Sequence, residues 1–168
     1  PQKRGKKMVL LFSLLAGAGL AYLSRALFEA EKMKSLLLYL WLYYWTINFL
    51  RILEMNLHFV HDHHTPIFYI SRQLVLFEVP LLFLLYLHVF HLSRTSGWKT
   101  LAAVCFFLVF TGYVAILHFL QILYTYGWSW RYVLAFFFTD LAVLHVGDAL
   151  YRWLDRKKEV HRHASEKI

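Results

Sequence analysis

Residues 67–92 read IFYISRQLVLFEVPLLFLLYLHVFHL. At a rise of about 1.5 Å per residue, a helix of this length reaches past the roughly 30 Å hydrocarbon core of a bilayer. It is too long and too uniformly apolar for a strand, so it reads as a membrane helix. Yet it also carries Arg72, Gln73, Glu78, His88 and His91. Ionisable groups in hydrocarbon are costly and turn toward a bundle interior or a water-filled cavity. The segment therefore predicts neighbours, with Pro80 kinking it by removing one backbone hydrogen bond.

Those neighbours lie on both sides of it. Apolar runs at about 8–24, 35–60, 100–124 and 132–151 complete a set of five with 67–92. Short polar stretches separate them, among them HDHHTP at 61–66 and SRTSGWK at 93–99. Short connections place consecutive helices antiparallel and side by side. The expected fold is an all-α integral membrane protein, a bundle of about five transmembrane helices with a polar, His-rich interior. It becomes four if 8–24 does not fully cross. The expected organisation is a basic flank at 1–7, the bundle at 8–151 and a basic polar tail at 152–168.

Composition agrees. The chain has 168 residues, of which 60% are hydrophobic and only 17% charged. Soluble domains average about 25% charged residues, and one of this size cannot hide so much apolar surface. A soluble enzyme, a disordered chain and a disulfide scaffold are excluded, the last because Cys105 is the single cysteine. The net charge of +8 is concentrated in the two ends. Basic flanks beside apolar spans mark contact with anionic lipid rather than nucleic acid, and the larger positive share puts the C-terminal tail on the cytoplasmic side. Ser13, Gly17 and Ala21 form a small-residue ladder that lets another helix approach closely, within the bundle or across a partner interface. Motifs for nucleotide binding or standard hydrolase chemistry are absent from the sequence.

The chemistry, if any, rests on polar residues inside the spans. Arg51, Glu54, His58 and His61 follow steps of three and four and share one helix face. His118 falls on the fourth span, and Asp140, His145 and Asp148 on the fifth. Alternating helix direction gathers His58 and His118 toward one side of the membrane and His88 and His145 toward the other. Paired imidazoles from different helices suit haem b, so His58 with His118 and His88 with His145 are candidate axial pairs. In helix count, size and these four histidines the chain resembles the five-helix, di-haem cytochrome b anchors of quinone-linked respiratory enzymes. That resemblance implies a membrane subunit of a larger complex, passing electrons to or from quinone beside other membrane protein subunits.

Other readings use the same residues. Glu54, His58 and His61 present three ligands for iron or zinc, which would make the chain a small metal-dependent membrane enzyme. This stretch resembles the histidine boxes of membrane desaturases and hydroxylases, but departs from them in having neither the HxxxH nor the HxxHH spacing. Glu78, His118, Asp140 and His145 suit a proton relay. Alternatively the polar faces only join helices, in a non-catalytic assembly or scaffolding subunit. An absorption spectrum separates these readings. Haem gives a Soret band that weakens in His118→Ala and His145→Ala, and a metal enzyme gives bound iron or zinc without that band.

Overall fold

The computed structural model describes residues 2–57, 66–119 and 130–165. These form five helices: α1 (Gln2–Ala30), α2 (Lys32–Leu57), α3 (Pro66–Leu92), α4 (Ser96–Phe119) and α5 (Trp130–Ser165). Among the described residues there is no strand. Pro80 lies inside α3 without ending it. The charged stretch after 151 continues α5 instead of leaving it, because DRKKEVHRHAS contains neither Gly nor Pro and is rich in good helix formers.

α3 is the hub. It packs against each of the other four helices, whereas α1 otherwise touches only α2, and α4 otherwise touches only α5. With α2 and α5 also in contact, the order around α3 is α1, α2, α5, α4. Paired residues give the directions. Phe83 meets Phe110 while Glu78 meets Tyr113, so α4 runs antiparallel to α3. Phe83 meets Phe137 and His91 meets Asp148, so α5 runs parallel to it.

Three helices contain stretches long and apolar enough to cross a membrane: Gln73–Leu92, Ser96–Phe119 and Arg131–Lys157. α1 contributes a shorter apolar stretch, Leu10–Arg25. α2 is less apolar, because many of its large side chains are Tyr and Trp, which carry polar tips.

The core is aromatic. Phe83 is fully buried, with the rings of Phe106, Phe110 and Phe137 at 5.1, 5.5 and 5.9 Å. Edge-on and tilted pairs at these separations add to the burial of their faces. Large apolar side chains also point outward, including Leu15, Leu108, Phe138 and Val146, each at least 60% exposed. Apolar surface of this extent is a liability in water, and the pattern is consistent with an integral membrane bundle.

Two close approaches set the packing. On α1, Ser13 and Ser24 are buried and Gly17 lies between them against α3. Ala21 is exposed, so the seam runs Ser13–Gly17–Ser24 rather than Ser13–Gly17–Ala21. At about 100° per residue, position 24 returns to the face of 17 and position 21 turns off it. At the α2–α5 seam, a Cβ on Gly147 would stand 3.1 Å from Leu38 Cδ2 and from Trp41 Cδ1. The Trp41 indole N–H donates to the Val143 carbonyl at 3.2 Å.

Removing the central ring should therefore be far worse than trimming an outward one. Phe83→Ala is expected to lower stability by about 3–5 kcal/mol, against less than about 1 kcal/mol for Leu108→Ala. Reversible unfolding in mixed detergent micelles checks this, and equal losses would contradict the hub.

Candidate functional site

Apolar packing places three carboxyl groups inside the bundle at different heights. Glu78 on α3 is 1% exposed. The Tyr113 hydroxyl of α4 donates to its Oε2. On the other side stands Gly17 of α1, where a Cβ would lie 3.0 Å from Glu78 Oε1. Three helices thus meet at one carboxyl. Its Oε1 has no hydrogen-bond partner among the described residues, although burying a polar group without one is costly.

Asp140 on α5 repeats the theme at the α2–α5 seam. It is also 1% exposed, and Thr46 Oγ1 of α2 donates to its Oδ2 at 3.3 Å. Its Oδ1 has no hydrogen-bond partner among the described residues. The α3–α5 pairs Phe83–Phe137 and Tyr86–His145 bring Asp140 level with the stretch of α3 between Leu81 and Tyr86. Glu78 is therefore roughly 5–12 Å away along the bundle axis. Neither carboxyl has an ion-pair partner among the described residues.

Asp148, one end of the bundle, is built differently. It is 3% exposed and lies beside two cations and an imidazole from three helices, although its Oδ1 also has no hydrogen-bond partner among the described residues. Arg152 reaches back one turn to it, His91 Nε2 of α3 lies at 3.1 Å, and Lys34 Nζ of α2 at 3.4 Å. Lys34 also holds Glu31 at 2.9 Å. Burial alone would lower the Lys34 pKa, but the Glu31 hydrogen bond and the Asp148 charge outweigh it and leave it raised. His91 Nε2 also lies 2.7 Å from Arg152 Nη2. A bare ring nitrogen accepts from the guanidinium and a protonated one donates to Asp148, so the tautomer selects which contact forms.

The sequence-derived histidines divide. His58 and His61 lie outside the described residues. Glu54 is on α2, with its side chain outside the described set. The proposed His58–His118 pair and the Glu54/His58/His61 metal set therefore fall largely outside it. His118 is half-buried near the end of α4. His145 meets the Tyr86 hydroxyl at 3.5 Å and the Phe90 ring at 5.3 Å. His88, two residues from each along α3, turns the other way. It lines a cavity of about 100 Å³ with Lys34, Ser35 and His91. The structure thus places His88 and His145 on different faces of α3. Among the described residues no three His, Cys, Asp or Glu side chains are grouped to hold a metal ion.

Several partners were not legible in the sequence. Thr46 and Tyr113 sit as ordinary members of apolar runs, and Lys34 reads as a loop charge. Only the tertiary pairing turns them toward Asp140, Glu78 and Asp148. No family model, curated protein or solved structure matches the chain.

The Asp148 cluster predicts an order of stabilities. Asp148→Ala leaves Lys34 and Arg152 facing each other without a counter-charge and is expected to cost about 3 kcal/mol. His91→Ala removes one partly exposed contact and is expected to cost about 1 kcal/mol. Thermal unfolding in detergent ranks them, and a reversed order would contradict the cluster.

Proposed function

We propose that the chain is a multi-pass membrane protein with all five helices in the bilayer, and that its interior carboxyl groups carry protons along the bundle. The observation that carries this is Glu78, buried where α1, α3 and α4 meet, with one carboxyl oxygen lacking a hydrogen-bond partner among the described residues.

The support for five crossings is register. Gly17 of α1 meets Glu78, and Thr46 of α2 meets Asp140. α1 and α2 thus pass the middle of α3 and α5 rather than lying beside one end. They have 29 and 26 residues, enough for a bilayer at about 1.5 Å each. An odd number of crossings puts the ends on opposite sides, and the basic end of α5 is assigned to the cytoplasm.

The support for a proton route is the chemistry of the two carboxyl groups. A bare charge in hydrocarbon costs several kcal/mol. Glu78 and Asp140 have no ion-pair partner among the described residues, so each holds a proton or a cation for as long as it stays where it is. From Asp140 the route continues along α5 through His145 to Asp148, the compensated end. A proton taken up at one carboxylate neutralises it, and its release at the other end restores the charge.

The same histidines give less support to electron transfer by haem b and quinone. Axial ligation needs two imidazoles facing one another across a slot. His145 faces Tyr86 and Phe90 instead. Proton flux tests the reading. In liposomes under a potassium-diffusion potential, the protein should acidify or alkalinise the lumen faster than empty liposomes. Glu78→Gln and Asp140→Asn should each reduce that rate at least about tenfold, and Cys105→Ser should not. A wild-type rate equal to that of empty liposomes, or an unchanged Glu78→Gln rate, contradicts it.

A further inference from the structure

A second cavity lies at the same end of the bundle as Asp148, between the α1–α2 turn and α5. It holds about 450 Å³ and is lined by Glu31, Lys32, Lys34, Tyr151, Arg152 and Asp155. Its charges are of both signs and only partly used. Lys34 faces Asp148 and Glu31, and Arg152 reaches Asp148 through Nη2 alone. Lys32 and Asp155 have no ion-pair partner among the described residues. A guanidinium carries five N–H donors, so Arg152 retains donors for a second acceptor.

The position is as informative as the charge. Charge returns along α5 at Arg152, Asp155, Arg156 and Lys157, and the apolar run of α2 begins just beyond Ser35. The cavity therefore sits at the depth of lipid headgroups in the five-crossing arrangement proposed above. Deeper on the same two helices, Leu37, Leu40 and Leu150 are each 50% exposed and offer apolar surface to acyl chains.

We propose that this cavity binds the headgroup of a zwitterionic phospholipid bearing a primary amine, of the phosphatidylethanolamine type. Lys32 and Arg152 take the phosphodiester, since cations and N–H donors recognise phosphate oxygens. Glu31 and Asp155 take the ammonium, which supplies three N–H donors. A choline headgroup has no N–H to give these carboxylates. A glycerol headgroup leaves them without a cation. The inference rests on the membrane placement of α2 and α5, not on the proton route, so failure of proton flux leaves it standing.

Native mass spectrometry of the full chain tests it, with the protein released from nanodiscs holding equal amounts of phosphatidylethanolamine, phosphatidylcholine and phosphatidylglycerol. The wild type should retain phosphatidylethanolamine about tenfold over phosphatidylcholine, the worth of roughly one charge-assisted hydrogen bond. Lys32→Ala should lower retention of every phospholipid. Asp155→Ala should erase the preference for the amine and raise the share of phosphatidylglycerol. Both side chains are exposed, and helical circular dichroism of each variant should match the wild type. The competition among lipids on the wild type is decisive even if a variant misfolds. Preference for phosphatidylglycerol in the wild type, equal retention of all three lipids, or an unchanged preference in Asp155→Ala would each overturn the assignment.

Discussion

Glu78 can stand at the junction of three helices only because one of them brings no side chain there. A methyl group at Gly17 would lie 3.0 Å from its Oε1, so α1 packs directly over the carboxyl group. Tyr113 closes the other side and supplies a hydrogen-bond donor. A small residue, a donor and an acid on three different helices thus fix the relative height of α1, α3 and α4. A one-turn slip of α1 would put a larger side chain over the carboxyl. A one-turn slip of α4 would withdraw the hydroxyl.

The remaining helices are tied by a parallel logic. Thr46 and Asp140 fix α2 against α5 in the middle of the bundle, while Lys34 and Asp148 fix them again at one end. Between the polar levels the aromatic rings around Phe83 fill the space among α3, α4 and α5. Apolar packing alone is a weak guide to helix–helix register in lipid, where surrounding chains are as apolar as the core. Directional contacts at a few heights supply the register that the rings do not. The same contacts leave one oxygen of Glu78 and one of Asp140 without a hydrogen-bond partner among the described residues, and that incomplete satisfaction is the basis of the proposed proton route.

How much of this was legible beforehand follows from what each signal depends on. Helix existence depends on local composition, so α3 was expected at 67–92 and forms at Pro66–Leu92. The basic stretch expected at 152–168 was legible from its charge, and the structure adds that it is helical as far as Ser165. The α1 seam was expected on Ser13, Gly17 and Ala21, and its third member is Ser24, which stays in phase with Gly17 over two turns. The acids were visible as anomalies in apolar runs. Their partners were not, because Thr46 and Tyr113 acquire a role only once α2 faces α5 and α4 faces α3. The surroundings of the histidines were hidden for the same reason. Spacing along one helix places His88 and His91 near one end of α3, but it does not say which neighbour each faces.

The account stands or falls on whether Glu78 exchanges a proton in the folded protein. Infrared difference spectroscopy of the protein in liposomes, recorded across a pH step, reads this directly. The account predicts a carboxyl C=O band that changes with the step in the wild type and is missing from the difference spectrum of Glu78→Gln. A spectrum with no carboxyl change, or the same change in Glu78→Gln, would mean that this acid serves packing alone.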